Sequence, residues 1–218
     1  MKKEERGDTG RPLVISYLTL RKAIGVLGIA LPFALAFGGL WLHGVELQNS
    51  VSSYYRTEMR DVFVGTLCAI AVFLMAYNGY DPIDNVIGKL ACLFAIGTAL
   101  LPVAPDRDPS PHEVLIGNIH LFSAALFFLA LAIFSLFLFT QTDPKKKKTQ
   151  KKQQRNAVYI ACGCLILVGL VLIAVIGLLP DGTLTELKKG HPIFWLESMM
   201  VVAFGFSWFT KGEAILQD

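Results

Sequence analysis

Residues 114–140 read VLIGNIHLFSAALFFLALAIFSLFLFT, an unbroken run without Asp, Glu, Lys or Arg. As a helix rising about 1.5 Å per residue it extends roughly 40 Å, more than the roughly 30 Å of a bilayer's hydrocarbon core. Its apolar residues do not alternate with polar ones, which excludes a strand of a membrane barrel. A helix is left, because backbone groups in hydrocarbon need partners within their own segment. Further apolar runs of spanning length lie at about 23–42, 62–77, 86–103, 157–179 and 193–210. The pattern predicts an all-α polytopic membrane protein, a bundle of six transmembrane helices forming one domain over 23–210. A polar segment 1–22 precedes it, a basic linker 141–156 follows the fourth span, and a short tail 211–218 ends the chain.

Composition demands the same second solvent. The chain is 54% apolar and only 17% charged, with a mean hydropathy of +0.53, whereas a soluble domain carries about a quarter charged residues. The first run is longer than the core of a cleavable signal and follows a long polar leader. It is therefore read as a retained span, although Ala34-Leu35-Ala36 has the look of a cleavage site. Within it, Ala30, Ala34 and Gly38 recur every four residues and predict a smooth packing stripe, with Pro32 as a kink.

Charge sets the orientation. With the N-terminus cytoplasmic, the inner segments hold fifteen of the twenty Lys and Arg residues, against five in the outer loops. This bias places both termini in the cytoplasm, as expected of a multi-pass protein of the plasma (inner) membrane. Lys145, Lys146, Lys147 and Lys148 head the largest basic cluster. It reads as a topology anchor that can also meet anionic lipid. No aromatics are interleaved with it, so no nucleic acid is expected. The four cysteines, Cys68, Cys92, Cys162 and Cys164, all fall inside spans and read as small packing residues. The phenylalanines of the fourth span, from Phe122 to Phe139, read as lipid-facing or packed.

Ionisable groups inside a membrane are costly and normally have partners, so they locate the candidate site. The outer loop Ser52-Ser53-Tyr54-Tyr55-Arg56-Thr57-Glu58-Met59-Arg60-Asp61 runs straight into the second span, where Asp61 is placed to cap the helix. His120 lies about five residues into the fourth span and Glu197 about four into the sixth, roughly 6 to 8 Å below the outer helix ends. Ser123 sits one turn below His120. These depths match, and they predict an outward-facing polar pocket. His120, Glu197 and Asp61 are its candidate acid-base groups, and Ser53, Tyr54, Tyr55, Arg60 and Ser123 its candidate ligand contacts. The competing reading makes Arg60 and Glu197 a packing ion pair and gives His120 a backbone partner.

Two chemistries fit those residue types. His120, Glu197 and Asp61, with His191 or His112, offer the nitrogen and oxygen ligands that zinc accepts, but no pair has local ligand spacing. Ser53 with His120 is the candidate nucleophile and base, without a Gly-x-Ser-x-Gly context. No cofactor is specified. On the inner side, Tyr77-Asn78-Gly79-Tyr80-Asp81-Pro82-Ile83-Asp84 reads as turn chemistry, with Asp84 capping the third helix.

Several stretches together resemble a family of uncharacterised bacterial six-span membrane proteins. They are Ser52 to Tyr55, Met59 to Gly65, Tyr77 to Asp81, Ile119-His120, and Gly205 to Trp208 with Lys211 to Glu213. The likeness covers about 50–218 and implies fold and topology without an activity. A more distant one is to the alkaline ceramidase and adiponectin-receptor class of membrane hydrolases. That class pairs two histidines in its last span, where this chain has Glu197 and none. The function expected from all this is binding or modifying a lipid or other amphiphile at the outer pocket. A non-enzymatic assembly or accessory role and a small transporter are the alternatives. A transporter needs a polar path that the third and fourth spans do not offer below their outer third.

Overall fold

The computed structural model describes residues 17–77, 82–105, 107–141 and 149–215. Within them the chain forms helices α1 (Tyr17–His43), α2 (Arg60–Met75), α3 (Pro82–Leu100), α4 (Pro111–Ile133), α5 (Gln150–Gly177), α6 (Asp181–Lys188) and α7 (Pro192–Lys211), and no strand. A short 3₁₀ helix, Ser52–Arg56, precedes α2, and a π-helical segment, Phe134–Leu138, continues α4. Five of these helices are long and apolar enough to cross a membrane: α1, α3, α4 with its π segment, α5 and α7. The other long one, α2, has 16 residues and rises about 24 Å.

Consecutive long helices are neighbours. Helix α1 packs on α2, α2 on α3, α3 on α4, α4 on α5, α5 on α7, and α7 returns to α1. The six close into a ring in chain order. One end carries the 3₁₀ helix, α6 and the start of α7. The other, here the linker end, carries the start of α1 and α5 and the end of α7.

The ring's tightest seam joins α1 to α7. A Cβ on Gly205 would stand 2.7 Å from the Gly25 carbonyl oxygen and 2.8 Å from the Ile29 nitrogen, and one on Gly25 would stand 2.8 Å from the Phe209 nitrogen. The two backbones touch because neither residue has a side chain, which is how helices associate where hydrocarbon offers no hydrophobic drive. This corrects the expected stripe: Ala30 and Ala34 point outward, while Gly25 and Gly28 face α7. Four-residue spacing picks out a face but does not say which face meets a neighbour. Pro32 is buried within α1, which continues through it to His43.

Local signals set several boundaries. Ser110 starts α4 with a capping box: its hydroxyl accepts from the Glu113 N–H, and Glu113 Oε2 accepts from the Ser110 N–H at 2.9 Å. Pro111 fills the first helical position. Thr149 caps α5 through the Lys152 N–H at 3.1 Å, so this helix begins inside the basic linker rather than at 157. At the far end of α4 the Phe139 N–H bonds the Phe134 carbonyl, one residue further back than in an α-helix. The π turn points Ser135 inward, where its hydroxyl meets that of Ser207 at 2.8 Å, both fully buried.

Of the fourth-span phenylalanines, Phe127, Phe128, Phe134 and Phe139 are buried, whereas Phe122 and Phe137 face out. Helix α6 in the loop after α5 carries no apolar run and was not expected. Asp84 lies in the first turn of α3, fully buried. The Asn-Gly step of the preceding loop and Lys145, Lys146, Lys147 and Lys148 lie outside the described residues.

Candidate functional site

At the end of the ring opposite the linker, the segment 49–56 crosses the mouth, and part of the predicted polar set meets it there. Glu197, one turn into α7, reaches back to it: Oε2 accepts from the Val51 N–H at 2.7 Å and, more weakly, from the Ser52 N–H at 3.4 Å. These amides open the 3₁₀ helix and have no helical partner of their own. A charge-assisted bond to a carboxylate is among the stronger ways to satisfy such amides. The same loop answers in kind, since the Asn49 carbonyl accepts the Phe194 N–H at 3.0 Å in the first turn of α7. Loop and helix thus complete each other's orphan groups.

His120 performs the complementary task. It is 1% exposed, and its Nδ1–H donates to the Leu101 carbonyl at 2.8 Å. A carbonyl only accepts, so this bond fixes the proton on Nδ1. The Thr98 carbonyl also faces the ring. Two more donors serve the same helix end: the Tyr55 hydroxyl donates to the Leu100 carbonyl at 3.1 Å, and Arg56 Nε–H to the Val103 carbonyl at 2.9 Å. The last residue of α3 and the segment just past it therefore receive a histidine from α4 and a tyrosine and an arginine from the 3₁₀ helix. Cations and donors are favoured there by the helix dipole.

Arg60 lies exposed beside this cap. Its Nη2–H donates to the Tyr55 hydroxyl at 2.8 Å, and its guanidinium carbon sits 4.5 Å from the Tyr55 ring centroid. Arg56 approaches Glu113 at 3.8 Å, both side chains more than a third exposed, so that ion pair contributes little. Tyr54 is fully buried against Phe194, with ring centroids 6.3 Å apart, and its edge lies over Gly39. Burial holds its phenol above the ordinary tyrosine pKa, partly offset by the Gln48 backbone. The buried hydroxyl has no hydrogen-bond partner of good geometry.

The grouping departs from both readings of the sequence. The Arg60–Glu197 ion pair of the competing reading is not formed, since Arg60 bonds Tyr55 and Glu197 the loop amides, whereas the backbone partner that reading gave His120 is present. The Ser53 hydroxyl pairs with that of Ser50 at 2.7 Å rather than with His120, and Ser50 Oγ caps the turn by accepting the Ser53 N–H at 2.9 Å. Asp61 is exposed in the first turn of α2, whose N-cap is Met59, so it contributes through the dipole and not as a cap. Ser123 is buried beside Gly97, where a Cβ would come within 2.7 Å of its Oγ.

Among the described residues no three His, Cys, Asp or Glu side chains stand close enough to share a metal ion, so His120, Glu197 and Asp61 form no such set. Beneath the loop is a cavity of ≈ 20 Å³, room for about one water, bordered by Ser52, Thr98 and Glu197 but walled mainly by Leu31, Phe63 and Phe127. Arg56 was legible in the loop but not singled out. The carbonyls of Leu100 to Val103 that it and Tyr55 serve carry no side-chain signal at all. No family model, curated protein or solved structure matches this chain.

Proposed function

We propose that this chain is a six-span protein of a bacterial inner membrane, with both termini cytoplasmic, that works by binding rather than by turnover. Its ligand on this reading is a lipid or other amphiphile whose anionic headgroup rests on the exposed Arg60–Tyr55 platform. The carrying observation is the division of labour among the outer polar residues. His120 and Glu197, the groups best suited to acid-base chemistry, are bonded to backbone, whereas Arg60 is exposed and held over the Tyr55 ring. A pre-ordered guanidinium loses little freedom on meeting a phosphate or carboxylate.

Counting α2 as the sixth span rests on its place in the ring between α1 and α3; a short span is accommodated by local thinning of the bilayer. The orientation rests on the Lys and Arg bias. The stretches that resemble the uncharacterised six-span family include the closing loop and Ile119-His120, which fits a family held together by this closure. The small-transporter reading gains no support from the buried Leu67, Ile70, Leu131 and Phe204 in the ring.

Native mass spectrometry with metal analysis, on protein purified in mild detergent, tests the reading. Wild type is expected to retain an amphiphile that Arg60→Ala loses, without stoichiometric metal. A metal present in wild type and lost in both His120→Ala and Glu197→Ala would instead restore the hydrolase reading. No retained amphiphile in wild type would leave the assembly or accessory role, in which the polar groups serve the bundle alone.

A further inference from the structure

The stretch Arg56-Thr57-Glu58-Met59-Arg60-Asp61 at the outer mouth alternates cation and anion, and the structure engages those charges unevenly. Arg56 is occupied: its Nε–H donates to the Val103 carbonyl at 2.9 Å, and its Nη2 stands 3.8 Å from Glu113. Among the described residues, the Arg60 side chain meets no carboxylate and is held by the neutral Tyr55, through hydroxyl and ring. Glu58 and Asp61 stand on either side of it in the chain. Both are exposed, and among the described residues neither side chain makes a hydrogen bond or an ion pair. One open cation is thus flanked by two open carboxylates.

The fold accounts for only part of this grouping. The dipole of α2 favours carboxylates at its start, but Arg60 stands in the same first turn, the wrong end for a cation. A pair between Arg60 and either neighbour would settle both charges, and neither pair is formed. A ligand that is only anionic meets Arg60 together with two repelling carboxylates. One that carries a phosphate and an ammonium finds an opposite charge for each, and such complementarity sets specificity. The ring at this place also selects the kind of ammonium. Quaternary ammonium groups are recognised on aromatic faces, whereas Tyr55 already carries Arg60, 4.5 Å from its centroid. A primary ammonium has three N–H donors, which suit carboxylate oxygens.

We propose that the outer mouth takes a headgroup bearing both a phosphate and a primary ammonium, the phosphate on Arg60 and the ammonium on the carboxylates of Glu58 and Asp61. This rests on the reading of Arg60 and Tyr55 as a headgroup platform, and it narrows the ligand from anionic amphiphiles at large to zwitterionic ones. In an ethanolamine phosphate the two charges are separated by two methylenes. Arg60 and Asp61 are consecutive residues, with Cα atoms about 3.8 Å apart, so one small headgroup reaches both. The same chemistry is offered by a phospholipid and by free phosphoethanolamine.

The test uses the full-length chain, delipidated in detergent. Phosphatidylethanolamine, phosphatidylglycerol and phosphatidylcholine are offered in equal amounts and their retention is read by native mass spectrometry; soluble phosphoethanolamine is offered separately and read by thermal stabilisation. Wild type is expected to retain phosphatidylethanolamine about fivefold over each of the other two. The double variant Glu58→Gln with Asp61→Asn is expected to lose the preference over phosphatidylglycerol, and Glu186→Gln, at a carboxylate that pairs with Lys189, to keep it. That result supports the site with a lipid source. Equal retention of the lipids with stabilisation by phosphoethanolamine, lost in the double variant, supports it with a soluble source. Equal retention without that stabilisation overturns the proposal, as does a preference that survives the double variant. If the equally retained lipids are lost in Arg60→Ala, the platform stands and only the ammonium falls; if wild type binds none of the four probes, the platform reading falls with it. Should a variant not fold, the four probes on wild type still decide.

Discussion

Tyr54 and Glu197 show how differently two buried polar side chains bear on one loop. The Tyr54 ring fills the space over Gly39 and beside Phe194, while its hydroxyl finds no good partner. Tyr54→Phe is therefore expected to leave the unfolding midpoint unchanged or slightly raised, by under about 1 kcal/mol, in a thermal melt in detergent. A clear drop would mean that the hydroxyl is bonded. Glu197 is the reverse case, since its carboxylate completes the amides of Val51 and Ser52. Glu197→Ala leaves them unsatisfied and is expected to cost about 2 to 3 kcal/mol. Glu197→Gln keeps an accepting oxygen and is expected to recover about half of that. Limited proteolysis within 44–59 reads the loop's release directly: faster cleavage in Glu197→Ala than in Glu197→Gln is the expected order.

Between helices, the seam of α1 and α7 decides stability. Gly205→Ala places a methyl group against the backbone of α1 and cannot be absorbed by a side-chain movement. It is expected to destabilise by about 2 kcal/mol or more, whereas Gly65→Ala, with nothing within 4 Å, is expected to be neutral in the same melt. Equal effects would remove the seam. The helices themselves were legible because an apolar run of spanning length has few other solutions. Which glycines carry the seam was not legible: Ala30, Ala34 and Gly38 recur every four residues while Gly25 and Gly28 stand only three apart, and the neighbour's position alone shows which set meets α7. The π turn of α4 escaped for a related reason, since residues 134–138 are as apolar as those before them and the extra residue leaves no mark on the pattern.

Across the whole molecule, the ring in chain order brings residues distant in sequence to two polar ends, one closed by the 49–56 loop and the other carrying cations over rings. The candidate site was half legible for that reason. Depth along each span brought His120 and Glu197 to notice, because a polar group in a membrane helix normally has a partner. Their partners, the Leu101 carbonyl and the Val51 and Ser52 amides, are backbone groups that any residue supplies, so no motif announces them. The six-span reading has its own test: single cysteines at Gln48 and Thr149, in a background without the native four, are expected to be labelled by impermeant thiol reagents from opposite sides of the membrane. Labelling from the same side would overturn the topology.

The central claim, that His120 closes the bundle rather than performing chemistry, is tested most directly by the unfolding midpoints of wild type, His120→Ala and His120→Asn. Asparagine returns an N–H donor near the position of Nδ1 but no titratable group. A marked loss in His120→Ala, about 1 to 3 kcal/mol for an unsatisfied Leu101 carbonyl, with substantial recovery in His120→Asn, is the expected result. Undiminished stability in His120→Ala would contradict it and return His120 to the candidates for catalysis.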